Sequence, residues 1–193
     1  GDALPRLSTT GATRRTDGLL CDAARTRRSL EGWFRRFYRM SDLELLRSYV
    51  GSFAGHGIDD EDQPFHAELA LEALLDRGLT LSFRATGIDG TTYHEERSWI
   101  APDDEGRLCL WSVNTRRAGC GRHVRRHGAP AAGARATVVF GDGEPQESDR
   151  HRAEIAIDLW PDGDLGYRYA WGNPGSDFRP RSSVRMSPAA GEE

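Results

Sequence analysis

Apolar and polar residues alternate along the sequence from residue 65 to residue 113, and turn signals such as Ile88-Asp89-Gly90 separate the runs. Strict alternation over about four to eight residues is typical of a strand with one buried face. Short turns between such runs favour antiparallel neighbours. The sequence therefore predicts a consecutive antiparallel meander, with strands at residues 65–73, 79–86, 93–100 and 108–113.

The same alternation precedes and follows this meander. A first strand is predicted at residues 49–56, and later strands at residues 134–140, 151–160, 165–171 and 182–186. A closed barrel that holds one small ligand needs about eight strands. We therefore predict an all-β fold, an antiparallel up-and-down β-barrel of eight to ten strands with an N-terminal amphipathic helix, whose last strand closes against the first.

Composition and helical spacing divide the chain into four parts. Large apolar residues recur at helical spacing before the barrel, and Ser41 precedes Glu44 with the spacing of a capping box. Such a helix either closes one end of the barrel or packs on its outside. The predicted parts are a flexible arm at residues 1–27, a helical lead-in at 28–47 that includes Leu30, Trp33, Phe34, Phe37 and Met40, the barrel at 48–188 and a tail at 189–193.

A concentration of arginine interrupts the alternation at residues 115–133. Five arginines and two histidines, His123 and His127, stand there among glycine and alanine. A connection of nearly twenty residues is long for a compact domain. We predict a loop, either a mobile solvated lid or a rim that faces anions.

Charge and composition exclude several classes of protein. The formal net charge is -4, which argues against nucleic acid as the main partner. All 26 basic residues are arginine, so neither a Schiff-base lysine nor a phosphate-loop lysine is available. Cys21, Cys109 and Cys120 lack the spacing of a zinc ribbon, and we expect reduced thiols. No apolar run is long enough to span a membrane, and residues 1–15 lack the apolar centre of a signal peptide, so we expect a cytoplasmic protein.

The opening strand carries a family resemblance. The sequence Gly51-Ser52-Phe53-Ala54-Gly55-His56-Gly57 resembles the G-x-W-x-G-x-G strand of lipocalin-like and fatty-acid-binding-like bacterial barrels, with Phe53 in place of the usual tryptophan. The resemblance extends over about residues 43–186. It implies a calycin-type barrel that binds a small molecule, in which the glycines let the first strand bend and the aromatic residue plugs the closed end.

The haem-binding nitrobindins share this opening pattern and hold iron through a histidine from a late strand. In this chain no histidine follows Trp160, and His151 is the only histidine on a late predicted strand. Its parity, shared with Ala153 and Ile155, turns it inward. A lone inward histidine is more often a hydrogen-bonded wall residue than an iron ligand, so we expect no cofactor and no bound metal.

The predicted strand at residues 93–100 carries charge on both faces. Tyr93, Glu95, Arg97 and Trp99 share one parity, and the intervening residues share the other. If the Trp99 face points inward, a desolvated carboxylate lies beside an arginine and a tyrosine, a set able to perform acid–base chemistry. In the other orientation the same residues form a solvated charge ladder. Our candidate catalytic residues are Tyr93, Glu95 and Arg97.

Aromatic residues are concentrated on the strands that would enclose the interior. Such rings suit a flat, largely apolar ligand held by stacking and a few hydroxyl contacts, although core packing explains them equally well. The candidate ligand-binding residues are Phe53, Phe83, Trp99, Trp111, His151, Tyr167, Tyr169 and Trp171.

Three functions fit these observations. The first is a lipocalin-like barrel that binds an apolar or aromatic small molecule in its interior. The second is a cofactor-free cyclase or isomerase of a secondary metabolite on the same barrel. The third is a protein-interaction module with a filled core. The sequence leaves the oligomeric state open, a homodimer included.

Overall fold

The computed structural model describes residues 41–190, which form a short helix and a closed antiparallel barrel. The predicted flexible arm and the predicted helical turns at residues 29–40 lie outside the described residues. Each strand pairs with its neighbours in sequence, and β1 pairs with β10, as the predicted closure requires. The elements are α1 (Asp42–Arg47), β1 (Gly51–Asp59), β2 (Pro64–Leu74), β3 (Gly78–Gly87), β4 (Thr92–Pro102), β5 (Leu108–Asn114), β6 (Arg117–Arg126), β7 (Ala136–Gly141), β8 (Arg152–Leu159), β9 (Leu165–Gly172) and β10 (Arg179–Pro188).

Alternation along the strands builds the core, because successive side chains point to opposite faces of a sheet. Paired residues on neighbouring strands share a face, so the register Leu69–Phe83–Glu96 follows one inward layer from β2 to β4. The buried apolar residues of this face form one core cluster inside the barrel. The predicted all-β, up-and-down barrel is confirmed, with ten strands.

Helix α1 covers the end of the barrel at which β1 begins. The Ser41 hydroxyl accepts a hydrogen bond from the Glu44 amide, and the Glu44 carboxylate accepts one from the Ser41 amide, which confirms the capping box. Leu46 is completely buried and belongs to the core cluster. Just after the helix, the Tyr49 hydroxyl donates a buried hydrogen bond of 2.5 Å to the Trp160 carbonyl. Within residues 41–190 no helix has the length and apolar character needed to cross a membrane.

Glycine allows β1 to approach β10 closely. A Cβ atom at Gly55 would meet the carbonyl oxygen of Arg185, and one at Gly57 would lie 2.7 Å from the carbonyl oxygen of Ser183 and would meet the Phe65 ring. Both contacts are closer than a real Cβ atom tolerates. The glycines of the opening strand are therefore needed where the first and last strands meet.

The arginine-rich segment is a strand over half of its length, which corrects the predicted loop. Alternation continues through β6, with His123 buried and Arg122 exposed, but Gly119 and Gly121 hide it in the sequence. Four of the five arginines hold carboxylates, so the segment forms neither a free lid nor an open rim for anions. The ion pairs are Arg117–Asp142, Arg122–Asp103, Arg125–Asp42 and Arg126–Glu144.

One carboxylate on the outer face of the barrel is shielded from solvent. Asp158 faces outward from β8 but has no exposed surface. It accepts hydrogen bonds from Arg168 Nε at 2.6 Å, from Arg168 Nη2 at 2.9 Å and from the Thr137 hydroxyl. Thr137 also accepts a hydrogen bond from the Ala131 amide, which ties the loop before β7 to the barrel.

Candidate functional site

The two ends of the barrel differ in the residues that face inward. Near α1 the inward residues are apolar and almost fully buried, as Leu71, Leu79, Ile100 and Leu165 show. At the opposite end the inward positions are polar or aromatic and partly exposed, so solvent reaches the interior there. We call this end the mouth, defined by the inward-facing residues His94, Asn114, Asp142, His151, Tyr169 and Trp171.

Below the mouth lies a buried carboxylate, that of Glu96 on β4, whose side chain is 2% exposed. One oxygen accepts a hydrogen bond of 2.5 Å from the Ser98 hydroxyl, and the other accepts one of 3.0 Å from the Tyr167 hydroxyl. His94 Nε2 lies 3.5 Å from the second oxygen. Burial, followed by the charge of Glu96, raises the pKa of Tyr167 well above its ordinary value, so this phenol remains a donor.

Aromatic contacts cross the interior at two levels. The Phe83 and Tyr167 rings stack with centroids 4.5 Å apart, although β2, β1 and β10 separate their strands along the barrel wall. Nearer the mouth, the His94 and Tyr169 rings stack at 6.4 Å. Burial, with the charges of Glu96 and Asp142, raises the pKa of Tyr169 to about 12. The stacked pair of His94 and Tyr169 therefore lies between Glu96 and solvent as an aromatic layer.

A second polar group lies on the β6 side of the interior. His123 is buried, and its Nε2 lies 3.4 Å from the Ser112 hydroxyl. Its Nδ1 lies 4.0 Å from Asp142 Oδ2 and forms no hydrogen bond with any of residues 41–190. Asp142 is held in place by Arg117 at 2.9 Å and by the Ala153 amide at 2.7 Å. His123 thus presents a buried nitrogen that a ligand can hydrogen-bond.

His123 makes stability depend on pH. Burial lowers its pKa below the ordinary value, and nearby Asp142 only partly opposes this shift. Below about pH 6.5 the unfolded chain therefore binds more protons at His123 than the folded chain does. The contribution of His123 to stability is fully present above that pH. It is lost as the pH falls towards the pKa of His123 in the folded state. We expect the loss of melting temperature between pH 7.5 and pH 5.5 to be smaller in His123→Gln than in the wild type. His66→Gln, at an exposed position, is the control, and an unchanged loss in His123→Gln would contradict the assignment.

The face of β4 that carries the candidate catalytic residues is the outer one. Trp99 is 41% exposed, Tyr93 is 37% exposed, and Glu95 binds Arg84 at 2.7 Å on the surface. Arg97 lines an outer groove of about 380 Å³ together with Glu95. Ile100, on the opposite parity, pairs with Leu79 in the core, and this contact decides the orientation. Tyr93, Glu95, Arg97 and Trp99 therefore form the solvated ladder, and the inward placement of these residues was wrong.

The other predicted ligand-binding residues divide between the two faces. Trp111 pairs with Trp99, and the two rings stack outside the barrel with centroids 6.3 Å apart, so its inward placement was also wrong. Arg181 stacks on the Trp171 ring at 3.9 Å. The remaining residues share the inward parity: Phe53, Phe83 and Tyr167 in the core, and His151, Tyr169 and Trp171 at the mouth.

The sequence interpretation missed the residues that the interior brings together. Glu96 and His94 stand on the parity of β4 from which no candidate was taken, and His123 and Asp142 stand in or near the predicted loop. One signal was available, since the parity of Glu96 includes Ile100 and continues the apolar face of the preceding strands. For His123, the glycines of β6 interrupt the alternation of apolar and polar residues that would have identified an inward position.

Comparison with known proteins identifies the fold. No protein-family model and no curated protein matches the sequence. Among solved structures, the chain is similar to the crystal structure of Rv2717c from M. tuberculosis, with a TM-score of 0.55 and 13% sequence identity over 76% of this chain and 96% of that chain. At this identity the similarity supports a shared barrel architecture, and it is consistent with the calycin-type fold that the opening strand suggested.

Proposed function

We propose that this protein binds a small molecule with an apolar or aromatic body at the mouth of the barrel. The observation that carries the proposal is the buried polar set beneath a partly exposed aromatic layer. Glu96 and His123 are buried inside a barrel whose core is largely apolar, and His123 Nδ1 lacks a hydrogen-bond partner within residues 41–190. Binding sites in barrels typically combine apolar walls with a few such polar groups.

The contacts across the interior favour a ligand near the mouth over one at the centre. Phe83 and Tyr167 already contact each other beneath the mouth. Above them, Tyr169 and His94 are partly exposed. An aromatic ligand can therefore exchange the stacking of His94 and Tyr169 for stacking on its own ring, and its polar groups can then reach Glu96 and His123.

Titration with N-phenyl-1-naphthylamine, a neutral fluorescent probe, tests this proposal. We expect saturable 1:1 binding with increased fluorescence. In ¹H–¹⁵N spectra the indole N–H signal of Trp171, at the mouth, should shift on binding, whereas the signals of Trp99 and Trp111, stacked outside the barrel, should not. Single Trp→Phe variants assign the three signals. Absence of saturable binding, or shifts confined to the outer pair, would reject the mouth as the site.

A cofactor-free cyclase or isomerase is the second candidate, and one observation favours it. Tyr167 and His94 lie 3.0 Å and 3.5 Å from Glu96 in a layer that is largely shielded from water, so proton donors and an acceptor are adjacent. On this alternative Glu96 replaces Glu95 as the candidate catalytic carboxylate. Mass spectrometry of a bound molecule before and after incubation separates the two functions, because simple binding returns the molecule unchanged.

A further inference from the structure

Glu96 is a buried carboxylate that no arginine of the described residues neutralises. Its only basic neighbour within 4.0 Å among residues 41–190 is the His94 imidazole. Several other carboxylates on the strands and turns hold an arginine, among them the buried Asp158. Examples are Glu95 with Arg84, Asp103 with Arg107, Asp142 with Arg117 and Asp158 with Arg168.

Burial makes this difference important for binding. A carboxylate removed from water needs hydrogen bonds or an opposite charge. Ser98 and Tyr167 provide hydroxyl donors to Glu96 but no charge. A positive charge that enters the site therefore gains more at Glu96 than at a carboxylate that an arginine already neutralises.

The surroundings of Glu96 favour the same kind of ligand. Tyr167 and Tyr169 lie beside or above it, and the faces of aromatic rings attract cations within about 6 Å of the ring centroid. A ligand with a carboxylate or phosphate group would be repelled by Glu96. Of the arginines near the mouth, Arg117 already holds Asp142 and Arg181 already holds Asp60.

We propose, on the basis of the proposed function, that the mouth selects organic cations. The ligand is an amine with an aromatic or apolar body, and its ammonium group binds the Glu96 carboxylate. The aromatic body takes the place of the His94 ring against Tyr169. His123 Nδ1 hydrogen-bonds a second polar group of the ligand where one is present. This chemistry distinguishes the protein from barrels that bind fatty acids.

Three probes that share one ring system test the inference in the full chain by isothermal titration calorimetry at pH 7. The probes are 1-naphthylmethylamine, which is cationic, 1-naphthylmethanol, which is neutral, and 1-naphthoate, which is anionic. We expect the amine to bind at least tenfold more tightly than the other two. Glu96→Gln should reduce this preference to less than threefold. Glu95→Gln, which changes the adjacent carboxylate on the outer face, should leave it intact.

Each other outcome overturns the inference. The inference fails if the amine and the alcohol bind equally, if the naphthoate binds most tightly, or if the amine preference survives Glu96→Gln. Each of these three results is compatible with a small-molecule site at the mouth. Absence of binding by all three probes also overturns the inference. The titration with N-phenyl-1-naphthylamine then tests the proposed function separately. Circular dichroism confirms that each variant folds. If Glu96→Gln does not fold, the wild-type preference and the Trp171 indole shift with the amine decide.

Discussion

Replacing Leu46 by alanine is expected to lower the free energy of unfolding by about 3 kcal/mol. The Leu46 side chain is completely buried and belongs to the core cluster at the end of the barrel that α1 covers. Its removal forfeits the transfer free energy of the side chain and leaves a cavity that the short helix cannot fill. Urea denaturation followed by circular dichroism measures the change.

Leu75→Ala is the matched control for this substitution. Leu75 has the same side chain but is 86% exposed. Its truncation should change the free energy of unfolding by no more than about 0.5 kcal/mol. If Leu46→Ala has an equally small effect, α1 does not contribute to the core in the way its burial indicates.

Replacing Asp158 by alanine is expected to cost about 2 to 3 kcal/mol of stability. The substitution leaves Thr137 and Arg168 without their buried acceptor, beneath the loop that precedes β7. Because the Arg168 side chain is 38% exposed, water replaces part of the lost interaction, and the cost falls below that of a fully buried ion pair. Thermal and urea denaturation both report the change.

Asp162→Ala is the control for Asp158→Ala, because both aspartates bind an arginine at 2.6 Å. The Asp162 side chain is 57% exposed, and a surface ion pair contributes at most about 1 kcal/mol. We expect the Asp158 variant to lose clearly more stability than the Asp162 variant. Equal losses would mean that the burial of Asp158 does not strengthen its interactions.

The sequence predicts the barrel well because closure depends on a repeated signal. Alternation recurs in almost every strand, and each turn adds an independent indication of an antiparallel neighbour. An error in one strand, such as the missed β6, leaves the meander on either side intact. The pairing of the last strand with the first then follows from strand number and from the glycines of β1.

The site is harder to predict because it depends on the parity of individual strands. On β4 both parities carry charge and an aromatic or apolar residue, so the pattern within the strand does not distinguish them. The large ring of Trp99 suggested an inward face, but its partner in the structure is Trp111 on the outer surface. A shift of one residue, from Glu95 to Glu96, separates a surface ion pair from a buried carboxylate.

The pairing between β6 and β7 covers few residues, and this leaves strand edges with which another chain can associate. The two strands pair only over Val124–Arg126 and Val139–Gly141, which leaves residues 117–123 without a strand partner on that side. Strand edges are the usual template for backbone-mediated association between proteins. Residues 136–138 of β7 likewise have no β6 partner, so within residues 41–190 an incoming peptide that extends the sheet can join at either of these two stretches.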